Sequence, residues 1–97
     1  MPGMKAPAGH FTVLYFAAAG SITQRPQEHL PAPMTIGELF GYLDGTYPGM
    51  KDKVIASSAV TINLDYIDVD EAGSNRGLQT KIDDGDEVAI IPPVSSG

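Results

Sequence analysis

In two segments of the chain, apolar residues occupy both the odd and the even positions, so that both faces of a strand would be apolar. This pattern is typical of strands near the centre of a sheet. The two segments are residues 11–16 (FTVLYF) and residues 87–91 (EVAII). We expect these first and last strands to lie side by side. In the first segment the alternation places Phe11, Val13 and Tyr15 on one face, and Thr12, Leu14 and Phe16 on the other.

The clearest helical signal begins at Thr35, which is followed three residues later by Glu38. This spacing is that of a capping box, in which each residue satisfies a backbone N–H group of the other. We predict a helix over residues 35–47 that ends at Pro48 and Gly49, because these two residues stop helices. Apolar residues then recur at helical spacing: Ile36, Leu39, Phe40 and Leu43.

The other predicted elements are short. Prolines restrict a strand at 27–30 to a sheet edge. A loose turn is expected at 50–57. We expect strands at 59–62 and 66–69 to form a hairpin around a tight turn at 63–65. We predict a loop at 70–79 and a turn at 82–86.

This order of elements predicts an α+β fold. One main helix would cross a mixed sheet of four to five strands, as in the ubiquitin-like β-grasp roll. We expect a disordered lead-in at 1–9, the β-grasp domain at 10–92 and a flexible C-terminal tail at 93–97.

Length and composition narrow the possible functions. The 97 residues allow one small domain, and the absence of cysteine excludes disulfides, thiolate nucleophiles and cysteine-ligated metals. The formal net charge of −6 argues against nucleic acid or an anionic membrane as partner. Most of this charge follows residue 50, which favours a basic partner surface. The lack of cysteine favours a reducing, cytosolic location.

The side chains offer little catalytic machinery. The spacing between the two histidines, His10 and His29, is not that of a pair of metal ligands, and we expect neither to be a general base. A calcium-loop pattern opening at Asp68 lacks oxygen ligands at two required positions, so no metal site is predicted. The acidic residues at 83–86 are interpreted as a charged turn.

The C-terminal segment is the unusual feature. Pro92 and Pro93 end the last strand, because neither can donate a ladder hydrogen bond. The chain continues through Val94, Ser95 and Ser96 to Gly97, and six extended residues from Pro92 reach about 20 Å. A glycine carboxylate has no Cβ beside it, so an enzyme could enclose it in a narrow channel. A tail without chemistry is the alternative.

These residues resemble a known family. Residues 84–97 (DGDEVAIIPPVSSG) are similar to the C-terminal signature of the molybdopterin synthase small subunits, the sulfur carriers of molybdenum-cofactor biosynthesis. Residues 13–17, 35–49 and 60–66 are similar to the first strand, the helix and the central hairpin of that family. The family tail commonly ends in Gly-Gly, whereas here Ser96 precedes Gly97.

The resemblance implies a mechanism. An activating enzyme of the ubiquitin-activating type would use ATP to convert the Gly97 carboxylate to an acyl-adenylate, which sulfur transfer would turn into a thiocarboxylate. The tail would enter the large subunit and donate sulfur to the cyclic pterin precursor to form the dithiolene of molybdopterin. Catalytic side chains would lie on the large subunit, and no cofactor would be bound by this chain.

The resemblance also implies partners and a binding patch. The expected assembly is a heterotetramer of two small and two large subunits. Phe16, Tyr66 and Ile91 match the positions of an apolar patch that binds the large subunit and the activating enzyme. We favour this patch over ordinary core packing, because Phe16 and Ile91 lie on strands with two apolar faces.

Two alternatives remain open. The chain could be another ubiquitin-like sulfur carrier or modifier, serving thiamine synthesis, tRNA thiolation or conjugation to lysine. It could also be a plain β-grasp interaction module whose tail carries no chemistry.

Overall fold

The computed structural model describes residues 6–67 and 77–93. Within these ranges, none of the helices is long and apolar enough to cross a membrane. The strands are β1 (His10–Tyr15), β2 (Gln27–Pro31), β3 (Met34–Thr35), β4 (Ala59–Ile62), β5 (Asp65–Ile67), β6 (Lys81–Ile82) and β7 (Glu87–Ile91). The helices are α1 (Ala18–Thr23), α2 (Ile36–Thr46), α3 (Met50–Lys53) and a 3-10 turn (Ile55–Ser57).

Five strands form a mixed sheet in the order β2-β1-β7-β4-β5. The first and last strands, β1 and β7, are parallel neighbours, as predicted, and the other pairs are antiparallel. The predicted edge strand is confirmed as β2. Strands β3 and β6 form a separate two-stranded antiparallel sheet.

The core lies between one face of this sheet and α2. It receives the alternate residues of β1, β4 and β7, while the intervening residues point to the other face. We call that second face the open face. The principal core side chains are Phe11, Val13, Ile36, Leu39, Leu43, Val60, Ile82, Val88 and Ile90, all at most 1% exposed.

The capping box that predicted α2 is present. The Glu38 N–H donates to Thr35 Oγ1 at 3.1 Å, and the Thr35 N–H donates to Glu38 Oε1 at 2.9 Å. Two of the helix's otherwise unpaired N-terminal donors are thereby satisfied. The helix ends at Thr46, directly before Tyr47 and Pro48.

Several short elements differ from the predictions. Strand β3 and helix α3 were not predicted, and Asp65, predicted within a turn, is the first residue of β5. Helix α1 was not predicted; it has six residues, and its N-cap residue, Ala17, makes no side-chain hydrogen bond. The predicted turn at 82–86 is wrong for Ile82, which pairs with Met34 in the β3–β6 ladder and is fully buried. None of these departures moves β1, β4 or β7, which carry most of the candidate site.

Candidate functional site

The last strand ends where the tail begins. Ile91 is the final residue of β7 and pairs with Ala59 of β4. The following Pro92 is buried and Pro93 is exposed. The predicted tail residues Val94, Ser95, Ser96 and Gly97 lie outside the described residues.

Phe16 lies beside this exit. It directly follows β1, and its N–H donates to the Ile90 carbonyl oxygen of β7 at 3.2 Å. Its side chain is 47% exposed, although a phenylalanine is usually buried. The apolar pattern of β1 was compatible with a second face that is either covered or partly exposed. The structure shows that this face is partly exposed at Phe16.

Tyr66 projects from β5 onto the same face. It is 76% exposed and lies opposite Thr61 of β4, which in turn lies opposite Ala89 of β7. The structure thus brings the three patch residues named from the sequence to one side of the sheet. Their role in binding a partner stays a prediction.

These residues line one open depression on the open face, and we call this surface the open-face patch. Apart from Thr61 and Glu87, its side chains are apolar or aromatic. Sequence reasoning missed Leu64, which is 83% exposed at the tip of the β4–β5 hairpin. The patch comprises Leu14, Phe16, Thr61, Leu64, Tyr66, Glu87, Ala89 and Ile91.

The polar side chains elsewhere serve local structure. Within the described ranges, no group of three or more His, Asp and Glu residues is placed to hold a metal ion. His29 Nδ1 lies 3.1 Å from Thr12 Oγ1. In the acidic turn, Asp86 Oδ2 accepts the Asp83 N–H at 2.8 Å, and Asp84 Oδ1 accepts the Gly9 N–H at 3.0 Å. These contacts support the interpretation of 83–86 as a charged turn.

A cluster that no sequence motif indicated surrounds Glu28 on β2. Its Oε1 accepts the hydroxyls of Tyr15 at 2.7 Å and Tyr47 at 3.0 Å, and its Oε2 accepts that of Tyr42 at 3.0 Å. The rings of Tyr15 and Tyr47 also pack edge to face, with centroids 6.4 Å apart. The Glu28 carboxylate therefore joins the edge strand β2 to β1 through Tyr15, to α2 through Tyr42, and to the residue after α2 through Tyr47.

The same cluster shifts the titration of its phenols. Burial raises the pKa of the Tyr15 hydroxyl, and the hydrogen bond to Glu28 raises it further. The pKa values of Tyr42 and Tyr47 are raised by the same two causes in the same order. All three phenols thus hold their protons above the pH at which free tyrosine ionises. The cluster lies away from the open-face patch.

Comparison with known proteins finds similarity to small sulfur carriers and modifiers. The ThiS family model matches residues 13–97. A molybdopterin synthase sulfur carrier subunit of Phaeosphaeria nodorum is 57% identical over 97 residues, which cover all of both chains.

Two solved structures have the same fold. The solution structure of small archaeal modifier protein 1 from Methanosarcina acetivorans matches with a TM-score of 0.70 and 26% identity, over 98% of this chain and 100% of that one. A complex of subunits 1 and 2 of molybdopterin-converting factor from Helicobacter pylori matches with a TM-score of 0.61 and 25% identity, over 91% and 99%. The predicted ubiquitin-like β-grasp fold is confirmed.

Proposed function

The chain belongs to the ThiS family and, within it, to the sulfur carrier subunits of molybdopterin synthase, and from this premise we propose that its Gly97 carboxyl group carries the sulfur. The family match extends to Gly97. The Gly97 carboxylate would be adenylated, converted to a thiocarboxylate, and used to donate sulfur to the cyclic pterin precursor.

The thiocarboxylate forms in two steps, and its later attack on the pterin precursor leaves a thioester that water would hydrolyse to return the Gly97 carboxylate. A Gly97 carboxylate oxygen attacks the α-phosphorus of ATP in the activating enzyme, and pyrophosphate leaves. A sulfide-level donor then attacks the acyl carbon, and AMP leaves with the oxygen, so that one sulfur replaces one oxygen. Adenylation is needed because it converts a poor leaving group into a good one, and the resulting thiocarboxylate sulfur is a competent nucleophile.

One observation carries the proposal: the tail leaves the sheet at the edge of the open-face patch. Ile91 is both the last residue of β7 and a lining residue of the patch. Phe16, beside it, is 47% exposed. A protein that covers the patch would therefore be positioned to receive the residues that follow Pro93. Exposed apolar area of this kind marks protein interaction sites.

We assign the catalytic side chains for sulfur transfer to the large subunit. The patch contributes apolar contact, and Glu87 is the one carboxylate among its lining residues. We propose that two small and two large subunits assemble into a heterotetramer in the cytosol, that the chain itself binds no cofactor, and that ATP is consumed on the activating enzyme.

The test is binding and activity with the large subunit. Phe16→Ala and Ile91→Ala should each weaken binding to the large subunit at least tenfold, as truncation of a central interface residue does. Deletion of Gly97 should leave binding nearly unchanged and abolish dithiolene formation. Isothermal titration calorimetry and a reconstituted synthase assay measure the two effects.

The matched control is Tyr42→Phe, which changes an exposed aromatic residue outside the patch and should leave binding unchanged. Full synthase activity after deletion of Gly97 would contradict the proposal. Failure of the wild-type chain to bind the large subunit would favour a modifier or a carrier with another destination.

A further inference from the structure

The β4–β5 hairpin turn contains a residue that its backbone disfavours. Ile62 and Asp65 close a two-residue loop, and the residues within it, Asn63 and Leu64, have φ angles of 51° and 74°. Two positive φ values define a type I′ turn, whose second position is usually glycine because a Cβ there is strained. Leucine at this position therefore costs conformational energy.

Local structure accounts for Asn63 but not for Leu64. Asn63 Nδ2 donates to Asp86 Oδ1 at 3.0 Å, its Oδ1 accepts the Glu87 N–H at 3.0 Å, and asparagine tolerates positive φ. Leu64 has the same backbone strain, and its side chain is 83% exposed. The isolated chain thus bears both a strained backbone and an exposed apolar side chain at one residue. Strain of this kind concentrates at functional sites.

We infer that Leu64 is a specificity-determining contact, inserted into an apolar pocket of the large subunit; this rests on the proposed function. Leu64 belongs to the same continuous patch as Ile91, where the tail begins. The left-handed backbone holds its side chain at the hairpin tip, above the open face. Because the tail begins at this patch, we expect the large subunit that receives the tail to cover Leu64 as well.

The position of Leu64 also sets the extent of the contact. Asn63 bonds to Glu87 at the start of β7, whereas Phe16 bonds to Ile90 near its end. Glu87 and Ile91 are four residue steps apart along β7, or about 13 Å. The large subunit must then cover the whole length of β7 and not only the tail exit. Because Glu87 borders Leu64 and is exposed, the pocket for Leu64 should have a basic group at its edge.

Leu64→Gly separates binding from stability. Glycine relieves the strain, so the variant should have a higher denaturation midpoint than the wild type. It should nevertheless bind the large subunit about tenfold more weakly, the effect expected of removing an apolar anchor. Leu64→Asn, which tolerates the same φ but is polar, should weaken binding to a similar degree.

Gln24→Gly is the matched control. Gln24 is exposed, has a φ of 59° and lies outside the patch. This variant should also raise the denaturation midpoint but leave binding to the large subunit unchanged.

Two results would overturn the inference. One is wild-type affinity in Leu64→Gly and Leu64→Asn while Phe16→Ala loses affinity; the proposed function would then stand without Leu64. The other is a lowered denaturation midpoint in Leu64→Gly, which would make Leu64 a structural residue of the hairpin. If Phe16→Ala and Ile91→Ala also bind normally, the open-face patch is not the surface that binds the large subunit, and the inference about Leu64 fails with it.

Discussion

At the scale of single residues, Glu28 on the edge strand β2 is the centre of a hydrogen-bond cluster. It accepts hydrogen bonds from three phenols that lie on β1, on α2 and just beyond α2. Hydrogen bonds to a charged acceptor are stronger than those between neutral groups. Glu28 therefore joins the edge strand to the remainder of the core.

We predict that Glu28→Gln lowers the free energy of unfolding by about 1–2 kcal/mol, because the three phenols lose a charged acceptor. Urea denaturation at neutral pH measures the change. Glu87→Gln is the control, since it removes an exposed carboxylate on the open face and should cost less than about 0.5 kcal/mol. Equal stability of the Glu28→Gln protein and the wild type would show that the charge is unimportant.

Alkaline pH should destabilise the protein through the same cluster. The unfolded chain releases its tyrosine protons near pH 10, whereas the fold raises the pKa of Tyr15, Tyr42 and Tyr47. Above about pH 10 the unfolded state then binds fewer protons than the native state, so the free energy of unfolding falls as pH rises. Below that pH this contribution is fully present.

Denaturation midpoints between about pH 8 and pH 11 test this dependence. In Tyr15→Phe the free energy of unfolding should fall less steeply as pH rises, whatever the effect of the substitution on that free energy at neutral pH. A stability that stays constant or increases across this range would contradict the assignment.

At the scale of elements, α2 depends on its cap. Thr35→Ala should lower the free energy of unfolding by about 1 kcal/mol, because the Glu38 N–H loses its acceptor. Thermal and urea denaturation both report this change. In Glu38→Gln the amide oxygen can still accept the Thr35 N–H, so the loss should be only a few tenths of a kcal/mol. Equal losses in the two variants would indicate that charge at the helix N-terminus, and not the cap, is important.

The sequence predicts an element where the signal is local. The capping box and apolar spacing predict α2, and the two apolar strands predict β1 beside β7. Helix α1 escapes prediction because Ala17 offers no cap and Gly20 lies within its six residues. The two-residue strand β6 depends on tertiary pairing with Met34, which no short segment encodes.

The candidate site is predictable to a similar degree. Strands with two apolar faces indicate that Phe16 and Ile91 are unusual, and the family resemblance adds Tyr66. The sequence does not indicate Leu64, because its importance depends on a positive φ, whereas the residues at 63–65 predict only a tight turn. An Asn-Leu pair where Asn-Gly is expected could have indicated it.

At the scale of the whole molecule, the two faces of the sheet have different roles. One face and α2 form the core, and the open face presents the patch beside which the tail leaves. The absence of cysteine is consistent with this arrangement, since the proposed sulfur is carried on a carboxyl group and not on a side chain. The fold therefore places the end of β7, from which the tail continues, beside the patch.

Whether the Gly97 carboxyl group carries sulfur is tested most directly by the intact mass of the chain after incubation with ATP, its activating enzyme and a sulfur donor. We expect the mass gain of one oxygen replaced by sulfur, confined to the C-terminal peptide and absent when Gly97 is deleted. With an activating enzyme shown to be active, an unchanged C-terminal peptide, or the same gain after deletion of Gly97, would contradict this expectation.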